Sequence, residues 1–311
     1  MVRLIIDTDP GVDDAHAIML AFAHPQARVE AITTVAGNVD VAKTTANACA
    51  ILDALEIPPD RTPVFAGCDR ALVGYRVYAS EIHGADGLGN SSVPPSPRRV
   101  EAEHASLALI RLASAAPGDL TLVAIGPLTN IALATRLDPA LPRKFHRLVV
   151  MGGAIRATGN MPYPSTEFNI HCDPEAAAIV FEAWPNLTLV SWETTMEHLL
   201  APDQVDILMN APTPRGRFFR RITEQTLRFV LAKLNRPGLF APDPLAVAVA
   251  IEPDVVTLEE TRAVAVELAG SHTRGQTTVD WFGLTGRTPH VRLVLQVDRD
   301  RFWTLMRNAV A

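Results

Sequence analysis

With 311 residues, of which 48% are hydrophobic and 20% charged, the chain can bury a sizeable core, and the composition excludes a disordered or low-complexity protein. A formal net charge of −6, with arginines scattered rather than blocked, argues against a nucleic-acid partner. No apolar run is long enough to span a membrane, and three widely spaced cysteines (Cys49, Cys68, Cys172) suggest reduced thiols in a cytoplasmic protein rather than a disulfide frame or a zinc site.

Met1-Val2-Arg3 leads into a short strand, Val2–Ile6, not into a secretory leader. An acidic turn follows, Asp7-Thr8-Asp9-Pro10-Gly11-Val12-Asp13-Asp14, and then a helix-periodic stretch, Ala15–Phe22. The pattern continues with a strand over Val29–Val35, ending in Ala36-Gly37-Asn38, a helix over Val41–Leu55 and a short strand over Pro63–Ala66. From Gly67 to Arg99 a Gly- and Pro-rich loop carries His83-Gly84-Ala85-Asp86-Gly87-Leu88-Gly89, and a loop of that length inside a compact domain points to function or mobility. Helix (Ala105–Ala115), strand (Leu120–Ile125), helix (Thr129–Thr135) and strand (Leu148–Met151) come next, then a second long loop to Asn169. Asp173-Pro174-Glu175 opens a helix with an N-cap and a first-turn proline. A strand over Leu187–Ser191, a long helix over Arg217–Leu234, a short buried helix over Pro244–Ala250, a strand over His290–Val297 and a helix capped by Asp298 complete the chain.

Strands alternating with helices and no break in the alternation predict one α/β domain, residues 1–311, with a mostly parallel central sheet covered by helices on both faces. Such sheets bind ligands beyond the carboxyl ends of their strands. Asp7 and Asp9, Asn38, Ile125-Gly126 and Met151-Gly152-Gly153 all fall there. Four aspartates in eight residues would repel one another unless a cation or bound hydroxyls compensate, and a hard divalent ion such as Ca²⁺ suits an all-oxygen donor set. The plainer account, in which Asp13 and Asp14 merely cap a helix, leaves the other two acids unexplained.

Taken together, the acidic turn, Gly126-Pro127-Leu128-Thr129-Asn130, Met151-Gly152-Gly153, Glu167-Phe168-Asn169 and Ala241-Pro242-Asp243-Pro244 resemble the nucleoside hydrolase family along nearly the whole chain. The resemblance implies hydrolysis of the N-glycosidic bond of ribonucleosides to ribose and free base, in nucleobase salvage. It implies Ca²⁺ as cofactor, held by Asp9, Asp14, Asp243 and the backbone carbonyl of Ile125, with Asp9 also the general base on a calcium-bound water. Asp13, Asn38, Asn160, Glu167 and Asn169 match positions that hold the ribose hydroxyls, and Met151 matches a residue packed near the sugar. Relatives of this type form homodimers or homotetramers, so the same is expected here.

One position departs from the pattern. The best-known branch has a histidine before the last calcium-binding acid, where this chain has Pro242, which can donate nothing. His83 in the first long loop is the leading substitute acid, with loop organisation as its alternative role. Aromatic stacking on the base is another route, with Tyr75, Tyr78, Phe229 and Trp281 as candidates, although core or surface packing is the commoner fate of such residues. Trp192-Glu193-Thr194-Thr195 is expected to end a strand and shape the pocket, while His198 and His16 are expected to be structural. Asp7 is expected to orient a metal ligand or the water. Two other functions remain open: a nucleoside or ribose binder without turnover, motivated by Pro242, and a haloacid-dehalogenase-like phosphohydrolase, motivated by Asp7-Thr8-Asp9 but disfavoured by Gly11.

Overall fold

Strand β1 (Val2–Thr8) sits inside the protein because its alternating side chains serve two apolar layers. Leu4 and Ile6 join a core built with helices Val12–Ala23, Val41–Ala54, Pro214–Leu234, Pro242–Ile251 and Arg299–Ala309. Ile5 joins the opposite core, against helices Ala105–Ala115, Thr129–Leu137 and Pro174–Ala183. This computed structural model describes residues 1–74, 76–235 and 237–311.

The remaining strands are β2 (Ala27–Thr34), β3 (Val64–Ala66), β4 (Leu120–Ala124), β5 (Arg147–Met151), β6 (Leu187–Val190), β7 (Val256–Arg262), β8 (Val264–Val266), β9 (Thr277–Val279) and β10 (Val291–Val297). Eight of them form one sheet in the order β3-β2-β1-β4-β5-β6-β10-β7. Every neighbouring pair is parallel except β10 and β7. The protein is therefore a single-domain α/β fold with helices on both faces, as the alternation predicts. The chain winds outward from β1 in one direction and from β4 in the other, so the topological switch point lies between those two strands.

The sequence pattern misses elements that bury little. Edge strand β7 reads Val-Thr-Leu-Glu-Glu-Thr-Arg and is mostly exposed, so it carries no clean apolar alternation. The β8–β9 pair and helix Pro202–Met209 escape for the same reason. Trp192 opens a helix, Trp192–Glu197, instead of ending a strand, because Ser191 caps it through the Thr194 amide. Two helices start earlier than their periodicity suggests, at Val12 and Pro242, and this puts Asp13, Asp14 and Asp243 inside first turns. Helix Pro242–Ile251 is buried along its whole length and apolar on every side except for Asp243. Among the described residues no helix is long and apolar enough to cross a membrane.

Ile6 is fully buried in the first core. Ile6→Ala should lower unfolding free energy by about 2–5 kcal/mol, measured by urea denaturation, because a central strand cannot collapse onto the cavity left behind.

Candidate functional site

The acidic turn leaves β1 at the switch point and runs straight into helix Val12–Ala23. Asp14 reaches back to cap that helix, its Oδ2 accepting from the Gly11 amide at 2.9 Å. The same oxygen accepts from Asn38 Nδ2 at 3.0 Å, while Oδ1 accepts from the Asp9 amide at 3.2 Å and from the Thr8 hydroxyl. Asp14 is thus oriented by four donors. Asp9 Oδ2 accepts from the Asn38 amide at 2.7 Å, and its Oδ1 is buried without a partner. Asp9 has no spare room: a Cβ on Gly37 would overlap Oδ2, and one on Gly126 would stand 2.5 Å from Oδ1.

Carboxylate oxygens of Asp13, Asp14 and Asp243 lie within 4.8 Å of one another. Oxygen ligands 2.3–2.6 Å from a Ca²⁺-sized ion span about that distance, so the cluster fits a hard divalent cation. Unpartnered buried oxygens on Asp7, Asp9 and Asp13 point the same way. Asp13, expected to hold ribose, joins the tight cluster here, whereas Asp9 lies beside it and is not one of the three. The Ile125 carbonyl, at the end of β4, accepts from Asn169 Nδ2 at 3.2 Å.

Burial and mutual charge lift these acids. Asp9 and Asp243 are pushed well above the usual carboxylate range, first by burial and then by neighbouring carboxylates. Burial raises Asp13 and Asp14 to about 6, and Asp7 and Glu167 to about 7. Asp13 keeps 23% of its side chain exposed and is the least confined of them.

Above the acids opens a cavity of about 610 Å³, a size suited to a small organic ligand. Asp13, Asn38, Met151, Asn160, Glu167, Asn169 and Asp243 all line it. Asn38 spends its Nδ2 on Asp14 and on the Asp9 carbonyl, so it braces the acids. Glu167 caps helix Phe168–Cys172 through Oε1 and takes the Gly153 amide at 2.8 Å on Oε2. Asn169 Nδ2 also donates to the Met151 carbonyl at 3.2 Å, and Asn160 Oδ1 accepts from the Phe168 amide at 2.9 Å.

His83 closes the short helix Ser80–His83 and lines the cavity. Its Nδ1 accepts from the Val12 amide at 3.2 Å and lies 3.6 Å from Asp13 Oδ1. Burial lowers its pKa to about 4, so the ring is neutral and its proton sits on Nε2. Tyr78 and Phe229 line the cavity as well. Trp281 instead packs on the second core, and Tyr75 lies outside the described residues. Trp192 lines the wall with Phe240, their rings 5.2 Å apart. Phe240 was not singled out by the sequence; its closeness to Asp243 was the available signal. Glu193 was also underrated: it grips the amides of Ile155, Arg156 and Thr158 at 2.7–3.2 Å and so holds the loop that leads to Asn160. His198 is structural as expected, bridging the Thr194 carbonyl and the Val297 amide. Asp7 Oδ2 is held by Thr33 and Asn130.

Residues 4–304 match the model of the inosine-uridine preferring nucleoside hydrolases. The chain belongs to the nucleoside hydrolase family. It is 36% identical, over 99% of its length and 96% of the other's, to a pyrimidine-specific ribonucleoside hydrolase (RihB) of Escherichia coli K12. Among solved structures, an inosine-guanosine nucleoside hydrolase superposes with a TM-score of 0.90 at 36% identity, covering 99% of this chain and 98% of that one. A purine-preferring ribonucleoside hydrolase from Gardnerella vaginalis gives 0.91 at 32% identity with the same coverage. Membership makes the protein a ribonucleoside hydrolase, a glycosidase acting on N-glycosyl compounds, and it displaces the phosphohydrolase alternative. The named specificities of these relatives differ, so membership alone leaves the preferred base open.

Two outcomes follow from the geometry. Gly37→Ala should cut kcat/KM about 100-fold in nucleoside assays, because displacing Asp9 by about 1 Å ruins its placement. The second concerns pH. Buried acids whose folded pKa exceeds the unfolded value of about 4 destabilise the metal-free protein as pH rises from about 4 through about 7. Thermal melting in chelator should therefore fall across that window, and the stabilisation given by added divalent cation should grow across it.

Proposed function

We propose that this hydrolase uses Asp9 as general base and Ca²⁺ as cofactor to cleave ribonucleosides into ribose and free base. The observation that carries the reading is the buried, unpartnered Oδ1 of Asp9 beside the cluster of Asp13, Asp14 and Asp243. Asp14, Asp243, Asp9 and the Ile125 carbonyl would hold the ion. When bound, Ca²⁺ supplies positive charge that orients water and sugar hydroxyls and makes that water easier to deprotonate.

Asp9 takes the proton from the attacking water through Oδ1. Its other oxygen stays fixed by the Asn38 amide, so the base is aimed in advance. Asp13, Glu167 and Asn169 hold the ribose hydroxyls, with Asn160 and Asn38 at the margin, and Met151 packs against the ring. A ribose lacking one hydroxyl would leave buried polar groups unpaired, which gives the sugar specificity. The ring of carboxylates favours the positive charge that develops at the anomeric carbon as the C–N bond breaks.

At the other end, Pro242 offers no proton to the departing base. His83 donates a hydrogen bond from Nε2 instead, and Phe229 with the Trp192–Phe240 pair provides apolar faces for stacking. Cytoplasmic residence suits the three free cysteines. Assembly as a homodimer or homotetramer follows from the family resemblance, and light scattering measures it.

Incubation with a nucleoside panel should release reducing sugar, with activity lost in chelator and restored by Ca²⁺. Asp9→Ala should lower kcat by roughly 10²–10⁴-fold with the fold retained by circular dichroism. Wild-type rates in that variant would remove Asp9 from the role of base. His83→Ala should slow poor leaving bases more than 4-nitrophenyl riboside, whose leaving group needs no donor. Tight nucleoside binding with no product after long incubation would replace this reading by that of a binder.

A further inference from the structure

Glu193 is 6% exposed and is not itself part of the cavity wall. Its Oε2 accepts from the Ile155 amide at 3.0 Å, and its Oε1 from the amides of Arg156 and Thr158 at 2.7 and 3.2 Å. Three backbone N–H groups from four successive residues thus converge on one carboxylate, an anion nest filled by the protein's own side chain. The turn that aims them is unfavourable by itself. Ala157 has a φ of +59°, a left-handed conformation that residues with a Cβ seldom adopt. Hydrogen bonds to a charged acceptor are roughly twice as strong as neutral ones, so the grip of Glu193 offsets this strain.

The turn runs directly into the cavity wall, where Gly159, Asn160, Met161 and Pro162 all stand. On its far side this segment is tied to the next: the Asn160 amide donates to the Thr166 carbonyl at 3.0 Å, and Asn160 Oδ1 accepts from the Phe168 amide at 2.9 Å. Asn160 Nδ2 is the donor that remains. On the near side Arg156, Ala157 and Thr158 are exposed, so packing does not hold them. The Arg156–Glu197 ion pair, at 3.2 Å, is about half-exposed at both ends and adds little. Glu193 is therefore the anchor of that side.

We infer that Glu193 is a positioning residue for substrate: by holding turn 155–158 it sets where Asn160 and the rest of wall segment 159–162 meet the nucleoside. The inference rests on the ribonucleoside reading above. Glu193 touches no substrate atom and acts through Asn160, so its contribution is to binding rather than to proton transfer.

Steady-state kinetics on inosine or uridine, whichever the wild type cleaves faster, test this. Glu193→Ala should raise KM about 10-fold with kcat within about threefold of wild type, because a displaced wall loses binding shared by the ground and transition states. Glu193→Gln, which keeps one acceptor oxygen, should recover part of the affinity. A role in folding alone gives the opposite split, a smaller active fraction that lowers apparent kcat at unchanged KM, and that result overturns the proposal. In an Asn160→Ala background the effect of Glu193→Ala on KM should shrink at least about threefold, and full additivity also overturns it. Should Glu193→Ala fail to fold, Ala157→Val carries the test. It leaves Glu193 in place but puts a β-branched residue at a positive φ on the surface, so it should raise KM likewise, and an unchanged KM overturns the assignment. If the wild type binds nucleosides without turnover, the hydrolytic reading falls alone. The dissociation constant from calorimetry then replaces KM, and an equal value in Glu193→Ala overturns this inference.

Discussion

Repulsion among buried carboxylates is the constraint around which the molecule is arranged. Asp9, Asp14, Asp243 and Glu167 are made costlier to ionise by neighbouring carboxylates, Asp13 among them, at the floor of a cavity that leaves most of their surface away from water. No isolated turn would hold them so. Packing elsewhere overrides the penalty: helix Pro242–Ile251 is apolar on every side but one, and burying it between helix Val12–Ala23 and the sheet carries Asp243 to the others. The hydrophobic core thus supplies the free energy that keeps like charges together.

A second layer of polar contacts sets their directions. Asn38 contacts both Asp9 and Asp14, from the backbone and from the side chain. Behind them Asn130 joins Asp7 Oδ2 and the Thr34 carbonyl, each at 2.9 Å, and accepts from the Cys68 amide at 2.8 Å. This network ties the carboxyl ends of β1 and β2 to the start of the first long loop. Gly37 and Gly126 complete the enclosure by the absence of a side chain, since any Cβ there would meet Asp9. Side chains locked in this way are positioned before substrate arrives, as the proposed general base requires.

The cavity is divided in its chemistry. Acids and amides from the strand ends form one side, suited to sugar hydroxyls. Aromatic and aliphatic groups from helix Pro214–Leu234, the Trp192 turn and the segment before Pro242 form the other. Relatives with different base preferences share the fold. With the nucleoside seated as proposed, the division explains how: the acids and amides for the sugar come from one set of elements, while the groups facing the base come from peripheral elements that can vary without disturbing the acids.

Several features were determined by the amino-acid sequence alone. The alternation of apolar periods gave a parallel α/β sheet, because such patterning is local. The acidic turn placed oxygen chemistry at the end of β1, because four carboxylates in eight residues are intelligible only against a compensating charge. Tertiary structure decided the rest. That Asp13 rather than Asp9 sits closest to Asp14 and Asp243 depends on where the helix begins, and its cap, Asp14, is itself one of the acids. That Phe240 faces Trp192, and that His16 lies against Thr223 with one nitrogen unpaired, depends on how distant helices dock. Periodicity reports which face of an element is buried. It does not report which neighbour that face meets, because the neighbour is chosen by packing across more than two hundred residues of intervening chain.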